Sequence, residues 1–200
     1  MDRRLFIGTA AAALVAGAAR AETISLERLS QYFNSIQTAE ATFRQRNDNG
    51  SVSTGKLLMH RPGRMRFDYD EPVDLLVLAS GGQIGIFDGA SNIGKAERYP
   101  LNQTPLNLIL ERNVNLSDRA MVRQHSFDGV NTSVIVQDPK RRELGYVDLK
   151  FADDPVRLVG WRTVDGGGVA TELRFENFKL GEQYAPQLFS IKREEDRRFR

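Results

Sequence analysis

Residues 55–88 read GKLLMHRPGRMRFDYDEPVDLLVLASGGQIGIFD, and two predicted strands meet at a corner within this stretch. The first strand ends at Arg61-Pro62-Gly63, and the second begins directly after it. Apolar and charged side chains alternate along the second strand, which indicates a sheet with one face in water and one away from it. The apolar face of the two strands would carry Leu57, Met59, Met65, Phe67 and Tyr69.

Arg61 falls on the same side of the sheet as these apolar residues. An arginine on an apolar face lies either at the edge of the sheet or at an opening into the interior. The residues alone leave two roles open for it. As a structural residue it would pair with Asp68 or Glu71, a contact worth about 0.2–1 kcal/mol if exposed. As a latch, its five N–H donors would bind carbonyl groups at the C-terminus of a helix.

The first 21 residues form a predicted signal peptide. Arg3-Arg4 supply its positive start, an alanine-rich apolar run follows, and Ala19-Arg20-Ala21 is a predicted cleavage site. The apolar run is shorter than the roughly 20 residues that span a bilayer. The two arginines fit a twin-arginine signal and an ordinary Sec signal about equally. We expect the mature chain to start at Glu22 without a lipid-bearing cysteine and to be soluble in the periplasm.

The mature chain would carry no net charge. The predicted signal peptide holds three of the 28 basic and one of the 26 acidic residues, which leaves 28 − 3 = 25 basic and 26 − 1 = 25 acidic residues. A neutral chain has no overall field to hold a polyanion, so nucleic-acid binding is disfavoured. The chain has no cysteine, so its own core must stabilise it, and its length suffices for one domain.

Turn signals at short spacing predict a mainly β fold with two helical interruptions. An amphipathic helix is predicted over residues 26–37, and a second helix is predicted to begin at Pro105 with Thr104 as its cap. About ten or eleven antiparallel strands would form a barrel or a strongly curved sheet, whose interior the helices cover. A last short strand is predicted over residues 185–191, and the charged tail, 192–200, is expected to be disordered.

Catalytic groups are scarce in the sequence. The two histidines, His60 and His125, occupy polar positions and are expected at the surface. Ser91 lacks the second glycine of a nucleophile elbow, and no calcium loop or phosphate-binding loop is recognisable. We therefore expect neither an enzyme nor a metal or cofactor site. Whether the apolar residues form a packed core or line a cavity stays open at this point.

Several motifs in the same order resemble the periplasmic outer-membrane lipoprotein carrier family (LolA-type). They cover most of residues 22–191, and only the ordered set is specific. Gly81 and Ile86 depart from the aspartate and the aromatic residue usual in the family. The matching segments are the Gly-x-Leu strand at Gly55, the Arg61-Pro62-Gly63 corner with its aromatic return strand, Phe43-x-Gln45, Gly81-Gly82-Gln83 with Phe87-Asp88, Thr104-Pro105-Leu106, the strand from Glu172 to Phe178, and Phe189.

The resemblance implies an unclosed antiparallel β-barrel of about 11 strands, which encloses a hydrophobic cavity under a lid of short α-helices. This lipoprotein-carrier domain would span residues 22–191. It implies a monomeric periplasmic chaperone that binds the acyl chains of lipoproteins released from the inner membrane and carries them to the outer membrane. Its partners would be acylated lipoproteins, an inner-membrane lipoprotein-releasing ABC transporter, and an outer-membrane receptor lipoprotein or the outer membrane itself. The alternative is a periplasmic sensor domain of the same fold that binds lipids or lipoproteins.

The resemblance also favours a cavity over a packed core. Unbranched side chains such as methionine suit a pocket that adapts to acyl chains. Met65 and Phe67 match family positions that serve cargo handling, and the resemblance implies for Arg61 the role of fastening the lid. The predicted ligand-binding residues are Arg61, Leu57, Met59, Met65, Phe67, Tyr69, Ile86, Leu106, Ile109, Leu110 and Trp161.

Overall fold

An antiparallel sheet of eleven strands dominates the computed structural model, which describes residues 23–91 and 94–198. The predicted signal peptide, residues 1–21, lies outside the described residues. In chain order the strands are β1 (Thr38–Arg46), β2 (Val52–His60), β3 (Arg64–Tyr69), β4 (Leu75–Ser80), β5 (Gln83–Asp88), β6 (Glu97–Pro100), β7 (Val122–Phe127), β8 (Thr132–Val136), β9 (Gly145–Ala152), β10 (Arg157–Asp165) and β11 (Ala170–Leu180).

The strands lie in the order β6-β5-β4-β3-β2-β1-β11-β10-β9-β8-β7 across the sheet. Two runs of successive hairpins therefore meet where the first strand, β1, pairs with the last, β11. The outermost strands, β6 and β7, are not neighbours, so the sheet is open. The predicted mainly β fold, an unclosed antiparallel barrel of about 11 strands, is confirmed.

Among the described residues, three α-helices accompany the sheet: α1 (Leu26–Ser35), α2 (Leu106–Leu110) and α3 (Ile191–Arg198). α1 begins after Ser25 as predicted, because the Ser25 hydroxyl accepts a hydrogen bond from the Arg28 N–H at 3.3 Å. It ends two residues earlier than the predicted helix. None of the helices within residues 23–91 and 94–198 has the length and apolar character to cross a membrane.

α2 begins one residue later than the sequence predicts. Thr104 does not cap it, because the Thr104 hydroxyl donates instead to the Leu101 carbonyl at 2.9 Å. The N-cap position is Pro105, which has no side-chain donor or acceptor. The helix has only five residues, too few to be stable alone. Its stability therefore depends on its apolar side chains, which pack against the sheet.

A single apolar cluster fills the space between α1, α2 and the inner face of the sheet. Leu29 and Phe33 enter it from α1, and Ile109 enters it from α2. The ring of Phe33 meets Phe151 of β9 edge to face, with ring centroids 6.4 Å apart. α1 and α2 therefore cover the inner face, and we call them the lid helices.

The predictions for the C-terminal segment are wrong. Residues 185–191 contain no strand, because Pro186–Phe189 forms a 3₁₀-helix. Residues 192–198 are not disordered but belong to α3. Residues 181–198 cross the outer face of the sheet, and we call this segment the strap. Its anchor is Phe189, which is fully buried.

The strap completes a second, separate apolar cluster on the outer side of β4 and β5. Ile191 of α3 packs there with Leu76, Leu78 and Phe87. The first five residues of β4, Leu75 to Ala79, are all apolar, which fits a strand that is covered on both faces. Gly85 makes the approach of α3 possible, since a Cβ atom at this position would lie 3.0 Å from the Ile191 side chain.

Candidate functional site

The corner between β2 and β3 contacts both lid helices. Arg61 begins this corner and is only 6% exposed, with its guanidinium carbon 4.8 Å from the centroid of the Phe33 ring. Gly63 has φ of +73°, a backbone conformation that glycine adopts without a steric cost. The Gly63 N–H donates to the carbonyl of Leu110 at the end of α2, at 2.9 Å. The sequence Arg61-Pro62-Gly63 thus places a cation and a backbone N–H donor against the lid.

The guanidinium of Arg61 donates five hydrogen bonds to four backbone carbonyls. Two acceptors lie at the end of α1, the carbonyls of Phe33 at 2.5 Å and Ile36 at 3.3 Å. Two follow α2, the carbonyls of Glu111 at 2.5 and 3.1 Å and Arg112 at 3.4 Å. The last carbonyls of a helix lack intrahelical partners and carry its negative dipole end, so both ends favour a cation. One side chain therefore joins both lid helices to the sheet.

The residues alone left two roles open for Arg61, an ion pair with Asp68 or Glu71 and a latch that binds helix carbonyls, and the contacts of Arg61 favour the latch. Among the described residues, Arg61 pairs with neither Asp68 nor Glu71. Asp68 instead binds Arg66, with Nε and Oδ2 2.6 Å apart. The contacts of Arg61 are those of the predicted latch, although its action as a latch stays a prediction.

Arg61 is buried as a charged group. Burial lowers the pKa of Arg61 to about 10, and the nearby carboxylate of Glu111 partly opposes this change. The pKa of Glu111 is raised, first by burial and then by repulsion from Asp138. Arg61 still carries its charge at neutral pH, so its hydrogen bonds to the lid are charge-assisted and stronger than neutral ones.

The structure brings the other ten predicted ligand-binding residues into the one inner cluster. Seven of them are buried, and three are half-buried and packed against the rest. Their contact with a ligand stays a prediction. The buried residues are Leu57, Met59, Met65, Phe67, Ile109, Leu110 and Trp161, and the half-buried ones are Tyr69, Ile86 and Leu106.

The ten interior residues pack together in the inner cluster beneath the lid helices. Met59 and Met65 lie opposite each other across β2 and β3, and both are almost fully buried. Two pockets, of about 530 and 540 Å³, lie beside the strap, and none of the ten interior residues lines them. Because the lid helices cover the inner cluster, we expect an acyl chain to enter it by displacing one of them.

Few polar groups interrupt the inner cluster. The hydroxyl of Tyr69 donates to Gln45 Oε1 at 2.6 Å, and burial raises the pKa of Tyr69 to about 12. The indole N–H of Trp161 is buried and has no partner in the described part of the chain. Phe43 packs edge to face against the rings of Phe67 and Tyr69, with centroids 5.6 and 5.1 Å away.

Sequence reasoning missed two contributors to this site. Phe33 is both an interior side chain and a carbonyl acceptor for Arg61. Its spacing of four residues from Leu29 contributed to the prediction of α1, but the stripe alone did not identify Phe33 as a residue of the site. Phe43 was matched only as a family motif, although its ring lies beside the two aromatic residues of β3.

The histidines are less exposed than predicted. His60 is half-buried, with its ring centroid 5.9 Å from that of Phe189 in the strap. His125 is also half-buried, and its Nε2 lies 2.9 Å from the carbonyl of Ile24. Within residues 23–91 and 94–198, no group of three or more histidine, aspartate or glutamate side chains is placed to hold a metal ion.

Comparison with known proteins gives a consistent result. Residues 34–192 match the family model described as outer membrane lipoprotein carrier protein LolA. A protein of Methylococcus capsulatus named outer-membrane lipoprotein carrier protein is 29% identical over 186 residues, which cover 87% of this chain and 86% of that protein. A protein of the same name from Legionella pneumophila is 37% identical over 178 residues, covering 84% and 85%.

One solved structure supports the fold. It is a putative outer membrane lipoprotein-sorting protein domain from Vibrio parahaemolyticus, similar to this chain with a TM-score of 0.52 at 14% identity. The match covers 85% of this chain and 97% of that domain.

Proposed function

Because the chain belongs to the LolA family of outer membrane lipoprotein carrier proteins, we propose that it binds the acyl chains of lipoproteins and carries them through the periplasm to the outer membrane. The observation that supports this most is the pair of lid helices held over an apolar interior by one arginine. The process is binding and transfer, with no covalent step. The relatives are named as carriers, which favours this role over that of a sensor domain.

The main physical problem of such a carrier is release of its cargo. Each methylene that leaves water contributes about 0.8 kcal/mol, so the acyl chains of one lipoprotein supply far more free energy than transient binding needs. Here the closed interior is filled by its own side chains. Loading must therefore displace a lid helix and break the bonds of Arg61, and this cost weakens net binding.

Closure would favour release in the same way. When the lid helices return, their apolar side chains replace the acyl chains against the inner face of the sheet. The charge-assisted bonds of Arg61 re-form and add to the free energy of the closed state. Met59, Met65 and Phe67 would contact the cargo, since flexible and aromatic side chains can repack around chains of different shape.

The proposed partners are those that the family resemblance implies. An inner-membrane lipoprotein-releasing ABC transporter would supply the cargo, and an outer-membrane receptor lipoprotein or the outer membrane itself would accept it. The chain would act as a monomer in the periplasm, since one interior holds one set of acyl chains. Transfer would then need only an acceptor that binds the acyl chains more tightly than the loaded carrier does.

Competition binding tests the proposal. The apolar fluorophore 1-anilinonaphthalene-8-sulfonate is added to the folded protein, followed by a purified lipoprotein or by the same protein made without its acyl chains. We expect the acylated form to displace the fluorophore and the unacylated form to leave it bound. Absence of fluorophore binding by the folded protein, or equal displacement by both forms, would contradict acyl-chain binding in the interior.

A further inference from the structure

A pocket of about 280 Å³ lies on the outer face of the sheet, where β1 is flanked by β2 and β11. The sheet separates it from the interior that the lid helices cover, and none of its lining residues belongs to the strap. Three guanidinium groups and one carboxylate surround it, an excess of two positive charges. The lining residues are Arg44, Arg46, Val52, Glu172 and Arg174.

Two of these arginines face each other across neighbouring strands. Arg44 of β1 and Arg174 of β11 are direct partners in the antiparallel ladder, and both are exposed. Like charges that lie directly opposite in a sheet are destabilising. The chain therefore places two cations together at a position where one cation and one carboxylate would stabilise the sheet better.

The nearest carboxylate does not neutralise this pair. Glu172 lies 3.2 Å from Arg46, 3.5 Å from Arg174 and 3.7 Å from Lys150, so a single negative charge is shared by three cations. Arg44 forms no ion pair with any described residue. The pocket thus retains guanidinium donors that are free to bind an anion.

The surroundings leave room for such an anion. The position opposite Arg174 on its other side is Gly160 of β10, which has no side chain, and the position opposite Arg44 on its other side is Thr54. Val52 is 46% exposed and supplies an apolar wall. A small acidic group can therefore approach the paired arginines from solvent without displacing a bulky neighbour.

We propose that this pocket binds the carboxylate side chains of an acidic segment of a partner protein. Planar guanidinium groups bind carboxylates through two parallel hydrogen bonds, and neighbouring arginines can hold successive acidic residues. A recessed pocket fits protruding side chains better than a flat lipid surface. The proposal concerns the outer face alone and does not depend on acyl-chain binding in the interior.

Direct binding of a model peptide tests the pocket. Fluorescence anisotropy measures binding of fluorescein-labelled hexaglutamate to the protein, with hexaglutamine as the uncharged control. The variant Arg44→Gln/Arg174→Gln should weaken hexaglutamate binding about tenfold or more, because it removes the opposed guanidinium pair. The matched variant Arg119→Gln/Arg157→Gln loses the same charge from exposed positions elsewhere and should change binding less than about twofold.

Two further measurements complete the test. The melting temperature of Arg44→Gln should equal or exceed that of the original protein, because the substitution relieves like-charge repulsion. Sedimentation with phosphatidylglycerol vesicles should show no dependence on the arginine pair. The proposal is wrong if hexaglutamate fails to bind, if both double variants weaken binding equally, or if vesicles rather than the peptide need Arg44 and Arg174.

Discussion

The two faces of the sheet are covered in different ways. On the inner face, Arg61 fastens the lid helices through carbonyl groups that water can also satisfy. On the outer face, Phe189 and Ile191 fasten the strap by burial of apolar surface. In the proposed cycle acyl chains replace the apolar contacts of the lid, whereas nothing replaces those of the strap. The inner cover is therefore suited to open, and the outer cover is suited to stay in place.

The largest effect is expected at the anchor of the strap. Phe189→Ala removes a fully buried ring that lies against His60 and Tyr184, so the free energy of unfolding should fall by about 3–5 kcal/mol. Urea denaturation measures this change. Leu188→Ala is the control, because Leu188 is 41% exposed and its loss should cost less than about 0.5 kcal/mol. Equal effects of the two substitutions would contradict the strap as an apolar anchor.

Loss of the latch should act on the inner cover alone. Arg61→Leu removes the bonds to the lid carbonyls and should destabilise the closed lid by roughly 1.5–3 kcal/mol. Hydrogen exchange should then accelerate in α1 and α2 while α3 keeps its protection. Arg61→Lys should restore part of the protection, because an ammonium group cannot reproduce the planar fork. Equal acceleration in α3 would show that the two covers are not independent.

Crowding under α3 should act on the outer cover alone. The side chain in Gly85→Val would meet Ile191, whose atoms lie 3.0–3.1 Å from the position of the new Cβ. We expect a cost of about 1–3 kcal/mol and faster hydrogen exchange in α3. Adding Ile191→Ala should relieve the overlap, so the double variant should lose less stability than the sum of the two single variants. If the losses of stability from the two single substitutions simply added in the double variant, the contact between Ile191 and position 85 would be contradicted.

The smallest expected effect is a pH dependence of the strap. Burial lowers the pKa of His60, and repulsion from Arg64 lowers it further. The folded protein therefore binds fewer protons here than the unfolded chain, and stability falls as the pH drops through the unfolded value of about 6.5. Unfolding measured at pH about 7.5 and about 5.5 should show this loss, and His60→Gln should reduce it. An unchanged loss in the variant would assign it to other groups.

Local signals predicted most of the fold. β2 ends at His60 and β3 begins at Arg64, on either side of the corner that Arg61-Pro62-Gly63 predicts. The residues of the inner cluster were also predictable, since Leu57, Met59 and their neighbours share one side of their strands. The partners of Arg61 were not predictable from the residues alone, because its acceptors belong to the ends of two distant helices.

The strap and the arginine pocket depend on contacts between distant parts of the chain. Ile191 directly precedes a charged run, and its partners Leu76 and Leu78 lie more than 100 residues earlier in the chain. Arg44 and Arg174 become neighbours only through the pairing of the first and last strands. Composition and periodicity contain no information about such pairings. The sequence therefore predicted a disordered tail where the structure has a helix that covers the outer face of the sheet.

Transfer of cargo tests the central claim most directly. The original protein and Arg61→Leu are each loaded with an acylated lipoprotein, and the amount delivered to outer-membrane vesicles is then measured over time. We expect Arg61→Leu to load at least as well as the original protein, since no latch has to break, and to deliver markedly less, since closure no longer helps to expel the acyl chains. Loading and delivery equal to those of the original protein would contradict the latch and reduce Arg61 to a structural residue of the corner.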